Sequence, residues 1–283
     1  MPSVTLTDRA VLSVTGADAE TFLQALITTD VKTLGANDAR PGALLTPQGK
    51  ILFDFMITRQ ADGFRIETAS AQRDALAKRL LLYKLRAAVT FQTENPSAVT
   101  VTWDDGNEDG YRDSRFGKAG VSLYRHYGQA VGTDEAAYHA LRVRHGIVES
   151  PFDYALQDAF PHDVLLDLND GLSFRKGCYV GQEVVSRMQH RGTARRRVVQ
   201  VTGDAALPAP GTDITVNGRS IGTLGGTSGR DGVAILRLDK VADAMAAGQA
   251  IQAGETTLTV TLPAWSGLSF PATELATGQE TPA

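Results

Sequence analysis

Apolar and polar positions alternate in short runs through the first hundred residues, and the period twice lengthens to that of a helix. Val4–Leu6 and Ala10–Val14 read as strands. Gly16-Ala17-Asp18 then opens a helix with Phe22, Leu23, Leu26 and Ile27 on one face, the spacing of a packed amphipathic element. Ala43–Leu45 and Ile51–Ile57 flank Thr46-Pro47-Gln48-Gly49-Lys50, whose proline and glycine predict a hairpin-like turn. Phe53, Phe55 and Ile57 give the second of these strands one strongly apolar face. Phe64–Thr68 predicts a further strand. Ser70 is expected to cap a helix running to about Leu85, with Leu76, Leu80 and Tyr83 as its buried stripe. Val89–Phe91 and Val99–Trp103 add two more strands.

The pattern then loosens. Asp104–Gly110 is acidic and contains glycine, so it reads as a loop; Thr133 is expected to cap a helix that ends at His145, with Gly146 beyond it. Pro151–Phe174 reads as irregular chain, the kind of segment that often carries function. A helix is predicted from Gly181 to about His190. From Arg196 onward the runs are short and β-rich: Val198–Val201, Asp213–Val216, Ser220–Leu224, Gly232–Leu238 and Thr257–Leu262. Asn217-Gly218 between two of them is a two-residue hairpin signature. The expectation is therefore a mixed α+β region over residues 1–195, a small β-barrel or sandwich over 196–265, and a polar, disordered tail over 266–283.

Composition narrows the function classes. A chain of 283 residues is too long for one small core and should divide into two or three units. Its net charge of −4 supplies no global basic field to recruit nucleic acid. No stretch approaches the ~20 apolar residues that span a bilayer, and the first residues lack the basic start and apolar run of a signal peptide. One cysteine cannot make an internal disulfide, which suits a reducing compartment. A soluble, cytoplasmic protein is expected.

That single cysteine carries the candidate chemistry. It lies in Lys176-Gly177-Cys178-Tyr179-Val180-Gly181-Gln182-Glu183, between two glycines, after a lysine and just before the predicted helix. The positive end of a helix favours a thiolate by only roughly 0.3–1 kcal/mol, so Lys176 and Arg175 would have to supply the rest. The glycines suit a tight turn that lets backbone approach a ligand closely. The plainer alternative for Cys178 is a small buried hydrophobe.

The same eight residues resemble the signature of the YgfZ family of folate-binding, iron–sulfur cluster maturation proteins, relatives of the glycine cleavage T-protein (aminomethyltransferase). Phe22–Val31, Leu45–Lys50, Tyr83–Arg86 and Val185–Gly192 are similar to further segments of that family, so the resemblance covers residues 1–265. One run departs: Pro161–Asp167 keeps the family's proline and final aspartate, but replaces a glutamate by Asp163 and lacks an asparagine. The resemblance implies a T-protein-like ring of two intertwined α+β subdomains plus the C-terminal β-barrel. It implies tetrahydrofolate or a related folate as ligand, and iron–sulfur assembly factors and 4Fe–4S client enzymes as partners. A link to tRNA modification, and action as a monomer, are implied as well.

Candidate roles follow residue by residue. Cys178 is the reactive group and Lys176 its catalytic neighbour. Arg175, Gly177, Tyr179, Gly181, Gln182 and Glu183 are candidates for the ligand site by the motif. Asp153, Asp163 and Asp167 could bind the pterin edge, since carboxylates pair with amino and ring N–H donors; surface loop acids are the alternative. Arg175, Lys176, Arg187 and Arg191 could meet the folate's glutamate tail or another anion. Seven bases against the one acid Glu183 between Arg175 and Arg197 form either an anion-binding patch or a solvated face. No interleaved aromatics support stacking on nucleic-acid bases. Five histidines show no metal-ligand spacing. A single cysteine also falls short of the four thiolates a cluster usually takes, so no stably bound cluster is expected from one chain alone. The leading expectation is a folate-binding accessory protein for assembly or repair of iron–sulfur, mainly 4Fe–4S, enzymes that acts through Cys178; a tetrahydrofolate-dependent aminomethyltransferase and a non-enzymatic folate-binding module remain as alternatives.

Overall fold

The computed structural model describes residues 3–94, 98–104, 109–128, 132 and 134–272. The chain divides into two compact units. The first runs up to Tyr138 and includes Ala155–Pro161 and Leu166–His190; the second comprises His139–Tyr154, His162–Leu165 and the chain from Arg191 onward. Residues 139–154 and 162–165 thus group with the barrel although they precede residue 195.

The first unit is built on β1 (Ser3–Leu6), β2 (Arg9–Thr15), α1 (Ala19–Gln24), β3 (Asp38–Leu45), β4 (Ile51–Gln60), β5 (Gly63–Ala69), α2 (Ser70–Lys84), β6 (Thr90–Thr93), β7 (Val99–Trp103), β8 (Tyr111–Asp113), α3 (Ser114–Lys118) and β9 (Leu123–Tyr127). Its strands form one sheet in the order β1-β7-β9-β8-β3-β4-β5-β2-β6. Every pairing is antiparallel except that of β3 with β8. One face of the sheet carries Leu12, Val14, Phe53, Phe55, Ile57, Phe64 and Ile66, which pack with Phe22, Leu23, Leu76 and Leu80 into a single apolar core. The alternation in β4 predicted this face, because a strand turns successive side chains to opposite sides.

The other face buries polar and charged residues beside Val11 and Met56. Ser13, Thr58 and Arg65 are register partners there, and Glu67 follows two residues along β5. Glu67 is fully buried and accepts from Arg9 Nε (3.0 Å) and from Arg125 Nη1. Arg125 in turn donates to Asp113 Oδ2 (2.9 Å) and to the Tyr138 hydroxyl (3.0 Å), and Asp113 accepts from Arg115 Nη2 (2.8 Å). Four strand spacings separate β9 from β5 in the sheet order, which would be about 19 Å in a flat sheet. Contact between Arg125 and Glu67 therefore requires the sheet to curl around this charged network.

α4 (Ala136–His145) and α5 (Gln182–Arg191) precede the second unit's barrel of β10 (Arg196–Gly203), β11 (Asp213–Val216), β12 (Arg219–Ser228), β13 (Asp231–Arg237), α6 (Leu238–Ala246), β14 (Ile251–Ala253) and β15 (Thr256–Thr261). The six strands close in the order β10-β13-β12-β11-β14-β15. Asn217 and Gly218, with φ of 50° and 73°, make the predicted hairpin between β11 and β12.

Several expectations need correction. Ser70 is the first helical residue of α2 rather than its cap, and Ala69 at the cap position makes no side-chain bond. α1 ends at Gln24, so Ile27 is buried as a bridge to Leu44 instead of as part of a helix. β8, α3, β9 and β14 were not predicted because three to five residues are too few to show a period; α6 was missed although Leu238, Val241, Ala242 and Ala244 bury one face at helical spacing. The region after Trp265 is ordered as far as it is described, with Phe270 packed on the barrel core. Residues 273–283, Thr133 and much of the Asp104–Gly110 loop lie outside the described residues.

Candidate functional site

Cys178 is exposed, on a loop whose two ends are both tied into the first unit. The tie on its N-terminal side is Lys176. This lysine is buried, and its Nζ donates to the carbonyl oxygens of Ile27 (2.7 Å) and Thr29 (2.8 Å). Between those two residues, the Thr28 hydroxyl donates to Gly171 O (2.6 Å) and accepts from Ala43 N (2.9 Å), which joins the 27–29 segment to β3 and to the start of the loop. Burial lowers the Lys176 pKa to about 8, against the opposing pull of the Asp30 carboxylate. Tyr179 is buried beside it, with Lys176 Nζ 5.4 Å from the ring centre. Burial pushes the phenol pKa of Tyr179 upward, and its hydroxyl is enclosed without a hydrogen-bond partner.

The second tie is Gly181, with φ of 79°. A Cβ there would stand 2.5 Å from the Thr46 carbonyl oxygen, so the β3–β4 turn presses directly on the backbone that leads into α5. Gly177 is different: a Cβ on it would meet nothing within 4 Å, and its φ is not in the left-handed region. Of the two glycines beside the thiol, only Gly181 has the tight geometry expected of both.

The remaining candidates do not converge on the thiol. Lys176 directs its ammonium to backbone carbonyls, which corrects its expected role as the cation that activates Cys178. Arg175 is exposed; its backbone N–H and that of Lys176 donate to Ser173 Oγ. Gln182 and Glu183 open α5, and Glu183 pairs with Arg187 one turn along the exposed helix face, a contact of small energetic weight.

Asp153 is buried in the second unit. Its Oδ2 accepts from Arg142 Nη1 (2.7 Å) and Glu149 N (2.7 Å), and its Oδ1 from Gly226 N (2.7 Å). It is the anchor of a barrel contact and corrects the reading as a ligand acid. Asp163 is also buried, 3.9 Å from Arg196 Nε, and Asp167 is half-buried. The run of bases is not one face: Lys176 and Arg197 are buried, Arg197 donates to His162 O (2.8 Å), and Arg187 is paired.

Sequence reasoning missed the Glu67–Arg125–Asp113 network and the carbonyls that hold Lys176. A charged residue inside an otherwise strand-like run was the available signal for Glu67, in Phe64–Thr68. Among the described residues, no three His, Cys, Asp or Glu side chains are gathered to hold a metal ion. What the loop offers chemically is one exposed thiol on a backbone fixed at both ends.

Residues 195–268 match the family described as CAF17, C-terminal beta-barrel domain. Over 280 residues the chain is 30% identical to the iron-sulfur cluster assembly factor IBA57, mitochondrial, of Mus musculus, covering 83% of this chain and 77% of that protein. It is 31% identical over 258 residues to the IBA57 homolog of Chaetomium globosum, also named mitochondrial, covering 73% of this chain and 59% of that relative's length. The glycine cleavage system aminomethyltransferase T from Bartonella henselae has the same fold, with a TM-score of 0.67 at 15% identity over 92% of this chain and 84% of that one. The α+β, T-protein-like fold with a closed C-terminal barrel is thereby established. The mitochondrial relatives overturn the expectation of a cytoplasmic protein. A lone cysteine suits any compartment that keeps thiols reduced, so cysteine usage carried no information on which one.

Proposed function

The chain belongs to the IBA57 family of iron–sulfur cluster assembly factors, and we propose that it is an accessory protein in the assembly or repair of 4Fe–4S enzymes, acting through Cys178. The observation that carries this reading is the exposed thiol on a loop held by Lys176 on one side and Gly181 on the other. A thiolate is both a nucleophile and a ligand for iron. A fixed backbone presents it without an ordering cost when a partner arrives.

A cluster usually takes four thiolates, and this chain has one cysteine. The cluster is therefore cargo: Cys178, on losing its proton, supplies one thiolate ligand to iron while a partner supplies the rest. The resemblance to the YgfZ family supports the same role. Of the acids nominated for a folate, Asp153 is already saturated inside the barrel unit. No step of the proposal passes through a folate.

The test is replacement of Cys178 by serine and by alanine in cells that depend on this protein. Both variants are expected to fold and to lose activity of 4Fe–4S enzymes, while cluster-free enzymes are unaffected. Full 4Fe–4S activity in either variant defeats the reading. The fold shared with an aminomethyltransferase supports a second one, one-carbon transfer to tetrahydrofolate. Turnover of an aminomethylated carrier protein would favour it.

A further inference from the structure

We propose that the C-terminal end of α2 is a docking surface for a protein partner with an acidic rim around an apolar pocket. α2 buries Leu76 and Leu80 against the core, yet Leu81, Leu82 and Leu85 are 56%, 69% and 89% exposed. Among the described residues only six large hydrophobic side chains are exposed, so half of them lie within five consecutive positions. Leu81 and Leu82 lie in the last turn of α2 and Leu85 is its C-cap residue, so all three sit at the helix end. Scattered single leucines need no explanation on a surface, but a contiguous group does.

The backbone reinforces the point. Leu85 closes the helix with φ of 43°, in a region that glycine enters freely and leucine rarely does. Its side chain gains no burial in return. That conformation makes Leu85 the first central residue of a turn in which Ala87 N donates to Lys84 O (2.8 Å), so the turn holds the side chain out in solvent.

Charge identifies the occupant. Lys78, Arg79, Lys84 and Arg86 surround the leucines, and no acid occurs between Asp74 and Glu94, in a chain whose net charge is −4. None of these four bases is in an ion pair among the described residues. Unpaired charges of one sign around an apolar centre match the anatomy of a protein interface, with its apolar core and polar rim, and call for carboxylates opposite. An anionic membrane would also attract the bases, but a helix that lies on a bilayer offers one long apolar face, whereas here the leucines cover a single turn and the opposite face is in the core. The surface contains no part of the Cys178 loop, so the proposal stands apart from the role given to the thiol.

The experiment uses the full chain with a photo-cross-linking amino acid at Leu82, and a control with it at exposed Glu255. Irradiation in cells is expected to give a discrete protein adduct from position 82 and none from 255. The purified partner should then bind about tenfold more weakly to Leu82→Ser/Leu85→Ser and to Lys78→Glu/Arg79→Glu, and more weakly in high salt. Both double variants should unfold at the same temperature as the wild type, since none of these side chains is buried. The Cys178→Ser variant should retain the adduct, which separates failure here from failure of the thiol's role. The proposal is overturned by the absence of an adduct at position 82, or by an adduct with a second copy of this chain. It is equally overturned by a partner whose affinity ignores the leucine and charge changes, or by binding to phosphatidylserine vesicles that the serine variant loses.

Discussion

Gly49 and Gly181 meet backbone to backbone: a Cβ on Gly181 would lie 3.1 Å from the Gly49 Cα, and one on Gly49 would lie 3.0 Å from Val184 Cβ. Both glycines have positive φ, 81° and 79°. The hairpin turn and the entry to α5 are 132 residues apart in the chain, and they interlock only because neither carries a side chain. Gly181→Ala should therefore cost about 1–3 kcal/mol through overpacking and strain. Denaturant unfolding measures the loss, and the alkylation rate of Cys178 should change with it. A fully stable Gly181→Ala protein would mean that the contact is not made.

Lys176→Met would strip the donors from the Ile27 and Thr29 carbonyls, a loss of about 1–3 kcal/mol. The pH dependence gives a sharper test. The folded lysine releases its proton near 8 and the unfolded one near its ordinary 10.5, so the unfolded chain holds more protons between these values. Stability contributed by Lys176 must then rise with pH across that window. The neutral amine keeps two N–H groups, enough for both carbonyls. The gap in stability between wild type and Lys176→Met should widen from neutral pH to about 10.5; a gap that narrows contradicts the burial of this ammonium.

The charged network on the curled sheet predicts a large effect from one substitution. Arg125 is fully buried between Glu67 and Asp113, so Arg125→Met takes one of its two guanidinium partners from each buried carboxylate, leaving Arg9 on Glu67 and Arg115 on Asp113, and should cost about 3 kcal/mol. Burial acts to raise the Asp113 pKa, but the Arg115 and Arg125 guanidiniums overcome it and hold the carboxyl below its ordinary 3.8. A depressed carboxylate contributes its stability above the unfolded pKa and loses it as pH falls further. Asp113→Asn should thus be destabilised at neutral pH and show a shallower decline in acid than the wild type, as followed by circular dichroism.

Asp153→Ala separates a structural carboxylate from a ligand contact. Removing it leaves the buried Arg142 guanidinium without its 2.7 Å partner and two backbone N–H groups without an acceptor. A loss of about 3–5 kcal/mol is expected by calorimetry, before any ligand is added. Unchanged stability would return Asp153 to the binding candidates.

Much of the fold was legible because it is written in local rules. The alternation Phe53, Phe55, Ile57 marks a strand face whatever lies opposite, and Asn217-Gly218 states a hairpin turn by the φ it tolerates. The short elements β8, α3 and β14 were not legible, since three to five residues carry no period and are held by neighbours instead of by their own pattern. Within the candidate site, the exposure of Cys178 and the tightness of Gly181 agreed with the motif, whereas the roles given to Lys176, Gly177 and Asp153 did not.

By itself the sequence determined the strand and helix grammar, the closed barrel's hairpin and the solitude of the thiol, because each depends on residues within a few positions of one another. Only the tertiary structure decided the destinations of the charges. Lys176 turns toward carbonyls 147 and 149 residues away, and Arg125 toward a carboxylate 58 residues away. A cation in a sequence specifies a need for partners and not their identity; the chain path that delivers Ile27, Thr29 and Glu67 to these sites makes that choice.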